Sequence, residues 1–145
     1  MKINFYNSQS LLPIKVPYWR KIIKEAAMFE EESFAEVTVH FVEKDEIAYL
    51  HKIYFEDPSV TDCISFPIDG PEEPYRVLGE IFVSPEVAIE VAALRRENPL
   101  KETALYVIHA LLHLFGYNDM KKIDRQKMKR REKEHIQHLE AKGFF

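Results

Sequence analysis

Two histidines stand one helical turn apart in an apolar run, His109-Ala110-Leu111-Leu112-His113, shortly ahead of Gly116 and Asp119. Residues four apart on a helix share a face, with Cβ atoms about 5–6 Å apart, so both imidazoles reach one ion. Gly116 supplies a left-handed cap that reverses the chain and returns Asp119 towards that face. Two neutral imidazoles and a carboxylate leave a fourth tetrahedral position for water, as in catalytic zinc sites. Imidazole and carboxylate suit zinc first, with nickel, cobalt and copper as alternatives. The plainer reading is a pair of buried structural imidazoles, with Asp119 or Asn118 capping the helix that follows.

Other candidates are weaker. Ala110 follows His109, so the glutamate of His-Glu-x-x-His is missing and peptide hydrolysis loses its usual proton acceptor. Asp62 and Glu80 are acids able to approach the site from strand ends; otherwise Asp62 caps a turn and Glu80 faces solvent. His40 falls mid-strand, His51 on an amphipathic helix, and His135 and His138 on an exposed, charged terminal helix. Cys63 reads as packing rather than as a nucleophile. Tyr117 either stacks on an unpaired base or packs under the turn.

Positioning these groups falls to a chain of 145 residues, about one domain. Alternation marks strands at 2–6, 36–42, 61–67 and 77–83. Helical spacing marks 18–32 and 45–54, the latter broken at Asp57-Pro58. Ser84-Pro85-Glu86 opens a helix to about residue 96, with an N-cap, a first-turn proline and a first-turn acid. After Asn98-Pro99, a helix from 101 to 115 is apolar around most of its circumference and belongs in the core; a charged helix at 121–140 closes the chain. Residues 69–74 form a polar, exposed connection. With no repeat, low-complexity tract or linker, the expectation is a single α+β domain over 1–145, with four strands and five helices.

The net charge of −4 argues against a protein that simply coats nucleic acid. Acids gather at Glu30, Glu31 and Glu32 and at Glu43, Asp45 and Glu46; Lys121, Lys122, Arg125, Lys127, Lys129, Arg130, Arg131 and Lys133 crowd the last helix. That basic run is either a solvated helix face or a surface that holds phosphates. One cysteine, a start without a signal-like apolar stretch, and no membrane-length segment fit a protein of the reducing cytoplasm that meets no membrane.

Three ordered segments resemble the YbeY family of bacterial endoribonucleases, also called rRNA maturation factors. His109, Leu112-His113-Leu114, Gly116-Tyr117 and Asp119 follow its metal signature of three spaced ligands; Thr61-Asp62-Cys63-Ile64-Ser65-Phe66-Pro67 and Leu78-Gly79-Glu80-Ile81-Phe82-Val83-Ser84 follow two further segments. The resemblance implies a mixed sheet of about four strands packed with helices. It also implies a zinc-dependent, single-strand-specific endoribonuclease with His109, His113 and Asp119 as ligands. Such enzymes act in maturation of the small-subunit rRNA 3′ end and in ribosome quality control, with the small subunit or assembly factors as partners. There are departures. Asp119 stands where the family has a third histidine, which lowers the charge of the centre by one and makes a bound water a weaker acid. Phe55 stands where many members carry an arginine implicated in RNA handling. That loss motivates an alternative, a non-catalytic ribosome-assembly factor with a structural ion; a zinc peptidase is a third reading.

Overall fold

Alternating apolar residues in Glu36–Phe41 and Val77–Val83 build the centre of one sheet. Val37, Val39 and Phe41 pair in register with Gly79, Ile81 and Val83, and all six point to one face. The computed structural model describes residues 1–55 and 61–145. In chain order the elements are β1 (Lys2–Asn7), α1 (Val16–Phe29), β2 (Glu36–Phe41), α2 (Lys44–Phe55), β3 (Cys63–Pro67), β4 (Val77–Val83), α3 (Pro85–Arg95), α4 (Pro99–Leu114) and α5 (Lys122–Ala141). Spatially the strands run β1-β2-β4-β3, with β1, β2 and β4 parallel and β3 antiparallel to β4. The mixed sheet and its five helices agree with the expected α+β architecture. The break expected at Asp57-Pro58 lies outside the described residues.

Element ends differ from expectation for local reasons. Helix α1 starts early because Pro17 occupies its first turn, where no backbone N–H is needed. It stops at Phe29 because Glu31 turns left-handed at φ 53°. Helix α4 starts at Pro99 because the Asn98 side chain accepts from the Leu100 N–H at 2.9 Å. Ser84 caps α3 as the sequence implies, accepting from the Val87 N–H.

The β2–β4 face is covered by Trp19, Ile22, Ile23 and Ala26 of α1 and by Val107, Ile108 and Leu111 of α4. On the opposite face, Ile47 of α2 meets Val42 and Ile64, with Phe66 and Phe82 packed alongside. Helix α4 thus lies deep in the core, yet His109 and His113 lean out of it with about 30% and 27% of their side chains exposed. Two details hold α4 close to the sheet. A Cβ on Gly79, at φ +149°, would collide with the Phe66 carbonyl and press on Leu114. The Ser65 hydroxyl donates to the Ala110 carbonyl at 3.0 Å, tying β3 to the turn between the histidines.

Leu111, 1% exposed, fills the core beneath that turn. Leu111→Ala is expected to lower unfolding free energy by about 2–5 kcal/mol, read from urea denaturation.

Candidate metal centre

Helix α4 ends in a Schellman turn that brings the third side chain round. The Tyr117 N–H bonds the Leu112 carbonyl at 3.0 Å and the Gly116 N–H bonds that of His113 at 3.1 Å, with Gly116 at φ +107°. The chain then doubles back and sets Asp119 against both rings. Neither Asn118 nor Asp119 caps α5, whose cap position is Lys121 without a side-chain bond. Instead Arg125 Nη1 donates to the carbonyls of Asp119 and Met120, at 3.3 and 2.9 Å, and holds the loop from below.

The ring tautomers follow from their partners. His113 Nδ1 lies 3.1 Å from the Tyr117 carbonyl, which only accepts, so Nδ1 carries the proton and Nε2 a lone pair. His109 Nδ1 donates likewise to Glu132 Oε2 at 3.0 Å. The two Nε2 atoms face each other at 3.2 Å, and Asp119 Oδ2 lies 3.3 Å from His113 Nε2 and 4.0 Å from His109 Nε2. Converging lone pairs repel unless they share a cation. A tetrahedral ion with arms of about 2.0–2.1 Å sets its ligands about 3.3 Å apart, the length of two of these three edges. A proton satisfies one edge; an ion satisfies all three. His109, His113 and Asp119 therefore form a group close enough to hold one metal ion.

Charge favours a cation here. Burial disfavours protonated His109, but the Glu132 hydrogen bond and the Glu132, Asp62 and Asp119 carboxylates outweigh it and raise its pKa. Burial, with Asp62 beside it, pushes the Cys63 thiol well up, so it stays protonated and packs as the sequence suggests. Asp62 lines the cavities on both sides of the triad. Glu80 does not reach the site: it bonds His40 Nε2 at 2.8 Å on the sheet face away from α4.

A buried carboxylate supports the loop from behind. Glu30, at the end of α1, is only 7% exposed at its side chain and accepts from Arg131 Nε at 2.7 Å and His135 Nε2 at 2.6 Å. Its other oxygen accepts from the Tyr117 hydroxyl at 2.9 Å. Tyr117 thus fixes the loop at both ends, hydroxyl on Glu30 and carbonyl on His113. Its ring packs under the turn and its hydroxyl is engaged. Burial opposes ionisation of Glu30, but its three donors outweigh that and hold its pKa down. His135 is the clearest departure from the sequence reading. It is buried, not on an exposed face. Burial, opposed by Glu30, lowers its pKa, and its Nδ1 has no partner among the described residues, so a second ring proton has nowhere to bond.

Residues 4–140 match the sequence model of the family described as "Endoribonuclease YbeY". The chain belongs to the YbeY family. An "Endoribonuclease YbeY" of Protochlamydia amoebophila (strain UWE25) is 44% identical over 138 residues, covering 94% of this chain and 92% of that relative. One of Chlamydia caviae is 35% identical over 142 residues, covering 94% and 89%. The solution structure of a Thermotoga maritima protein, 24% identical, covers 97% of this chain and 90% of its own with a TM-score of 0.66, and shares the fold.

Within this YbeY-family site the sequence reading missed Glu132, Glu30 and His135. The signal was spacing: Glu30 continues the buried α1 stripe of Ile23, Ala26 and Ala27, and Glu132 and His135 fall in step with Met128, Ile136 and Leu139 on α5. A charged residue on an apolar stripe is a buried charge awaiting partners.

Two outcomes are expected. Glu132→Gln should weaken metal binding about 10–100-fold without unfolding the chain, by competitive chelator titration. A folded-state pKa below the ordinary histidine value of 6.5 means that His135 contributes stability above that pH and loses it on acidification. His135→Gln should therefore be less stable than wild type at pH 7.5, with the gap narrowing at pH 5.5 in urea melts; a widening gap would contradict a neutral His135.

Proposed function

We propose that this chain is a zinc-dependent endoribonuclease that cleaves single-stranded RNA, with His109, His113 and Asp119 as metal ligands. Within that reading it acts in the cytoplasm on ribosomal RNA precursors, at the small-subunit 3′ end and in ribosome quality control, alongside the small subunit or its assembly factors. Support comes from family membership and from relatives that bear the name endoribonuclease. The observation that carries it furthest is the position of the donor group between two open cavities. One, of about 370 Å³, lies towards α3 and α5; the other, of about 490 Å³, is lined by His51, Phe55, Ser65 and Pro67; Asp62, His109 and Asp119 border both. A strand laid across such a trough presents an internal phosphodiester to the triad, which suits endonucleolytic rather than end-directed cleavage.

When bound, a divalent ion supplies a Lewis acid for a phosphoryl oxygen and favours ionisation of the attacking hydroxyl or water. The protein's own groups do the rest. Glu132 and the Tyr117 carbonyl hold both imidazoles with Nε2 forward. Within this reading Asp62, which borders both cavities, accepts the proton. Among the described residues no helix is long and apolar enough to cross a membrane.

His113→Ala and Asp119→Ala are to be compared with wild type on labelled single-stranded RNA, with circular dichroism melts alongside. Losing a ligand should cost at least the 100-fold or so that losing a ligand's partner can cost. Undiminished cleavage by folded variants would defeat the proposal. Cleavage absent from zinc-loaded wild type would favour the assembly-factor alternative.

A further inference from the structure

The two cavities beside the triad differ in charge. In the one towards α3 and α5 three of the four acids are occupied: Asp119 belongs to the triad, Glu132 holds His109, and buried Glu102 accepts from the Tyr106 hydroxyl one turn along α4, while the fourth, Asp62, is shared with the other cavity. Its cations are not. Arg95 at the end of α3 and Lys129 on α5 are exposed and, among the described residues, meet no carboxylate within ion-pair distance. Arg125 directs its guanidinium at two backbone carbonyls, so its charge is also uncompensated. Elsewhere Lys44, Arg76 and Arg131 each have a carboxylate partner. The cavity on the Phe55 side has no lysine or arginine among its described lining residues.

Three uncompensated cations from two helices, facing one cavity of about 370 Å³ and outnumbering its one unoccupied acid, are a receptor for an anion. We propose that this cavity seats the RNA phosphodiester next to the one being cleaved, with Arg95 and Lys129 contacting its non-bridging oxygens and Arg125 beneath it. The inference rests on the endoribonuclease reading and adds a direction to it. From the triad the charged backbone runs between α3 and α5, while the strand on the Phe55 side is held without lysine or arginine. Part of the basic run on the last helix thereby gains a role, and Arg95 joins it from outside that run.

The test uses zinc-loaded protein and a labelled single-stranded RNA oligomer with one preferred cleavage site. The double variant Arg95→Ala/Lys129→Ala is compared with Arg96→Ala/Lys127→Ala, which removes equal charge from residues outside the cavity lining. The first pair should raise KM severalfold with kcat little changed, and reduce the salt slope of binding by about 0.7, the value for one phosphate of a single strand. A neutral methylphosphonate placed at one flanking linkage should reproduce that loss in wild type and add nothing further in the double variant. Equal losses from the control pair, or losses that add at every linkage, would overturn the seat while leaving the nuclease reading intact. Should the wild type cleave no RNA, the nuclease reading falls, and anisotropy with the same neutral-linkage series decides the seat: non-additive loss at one linkage supports it, additive loss or no binding overturns it.

Discussion

Two imidazole nitrogens face each other at 3.2 Å with their lone pairs inward and a carboxylate oxygen closing the third side. That arrangement is unfavourable by itself, and the surrounding structure is organised to maintain it. Each ring is turned by a hydrogen bond at its far nitrogen, one from α5 and one from the loop after α4. Each of those partners is fixed in turn: Glu132 by its place on the buried stripe of α5, Tyr117 by Glu30. The sheet contributes rigidity, since Gly79 and Ser65 hold α4 against β3 and β4. Three helices and a hairpin thus act together on three side chains.

The elements were readable because their signals are local. Strand alternation, the Ser84-Pro85-Glu86 start and the apolar length of α4 each depend on neighbours within one or two turns. The triad was readable for the same reason: a four-residue spacing and a glycine turn lie within eleven consecutive residues, 109–119. What the sequence concealed is long-range. Glu30 is one of three consecutive acids, and only its contacts with residues about a hundred positions away make it a core residue. His135 was misplaced by the charge of the helix around it. The average character of α5 is polar, but the stripe that touches α1 is not.

Electrostatics separates the molecule's charges by task. Most acids near the centre are taken up by rings, hydroxyls and the triad, which concentrates negative potential where a cation belongs. Several cations at the rim are left uncommitted, which suits a polyanion approaching from outside. A chain that is acidic overall therefore offers a basic approach on one side of its reactive centre. Net charge alone is a poor guide to partners when its sign varies across a few ångströms.

The buried carboxylate of Glu30 carries an evolutionary consequence. Positions 30, 117, 131 and 135 lie on three separate stretches of chain, yet they answer to one charge. Removing Arg131 or His135 alone strands an anion in the interior, whereas replacing the whole set with well-packed apolar residues does not. Lineages should accordingly keep or abandon the quartet as a unit: a homologue with a neutral residue in place of the glutamate should have given up the arginine too, and with it the tyrosine's anchor behind the histidines.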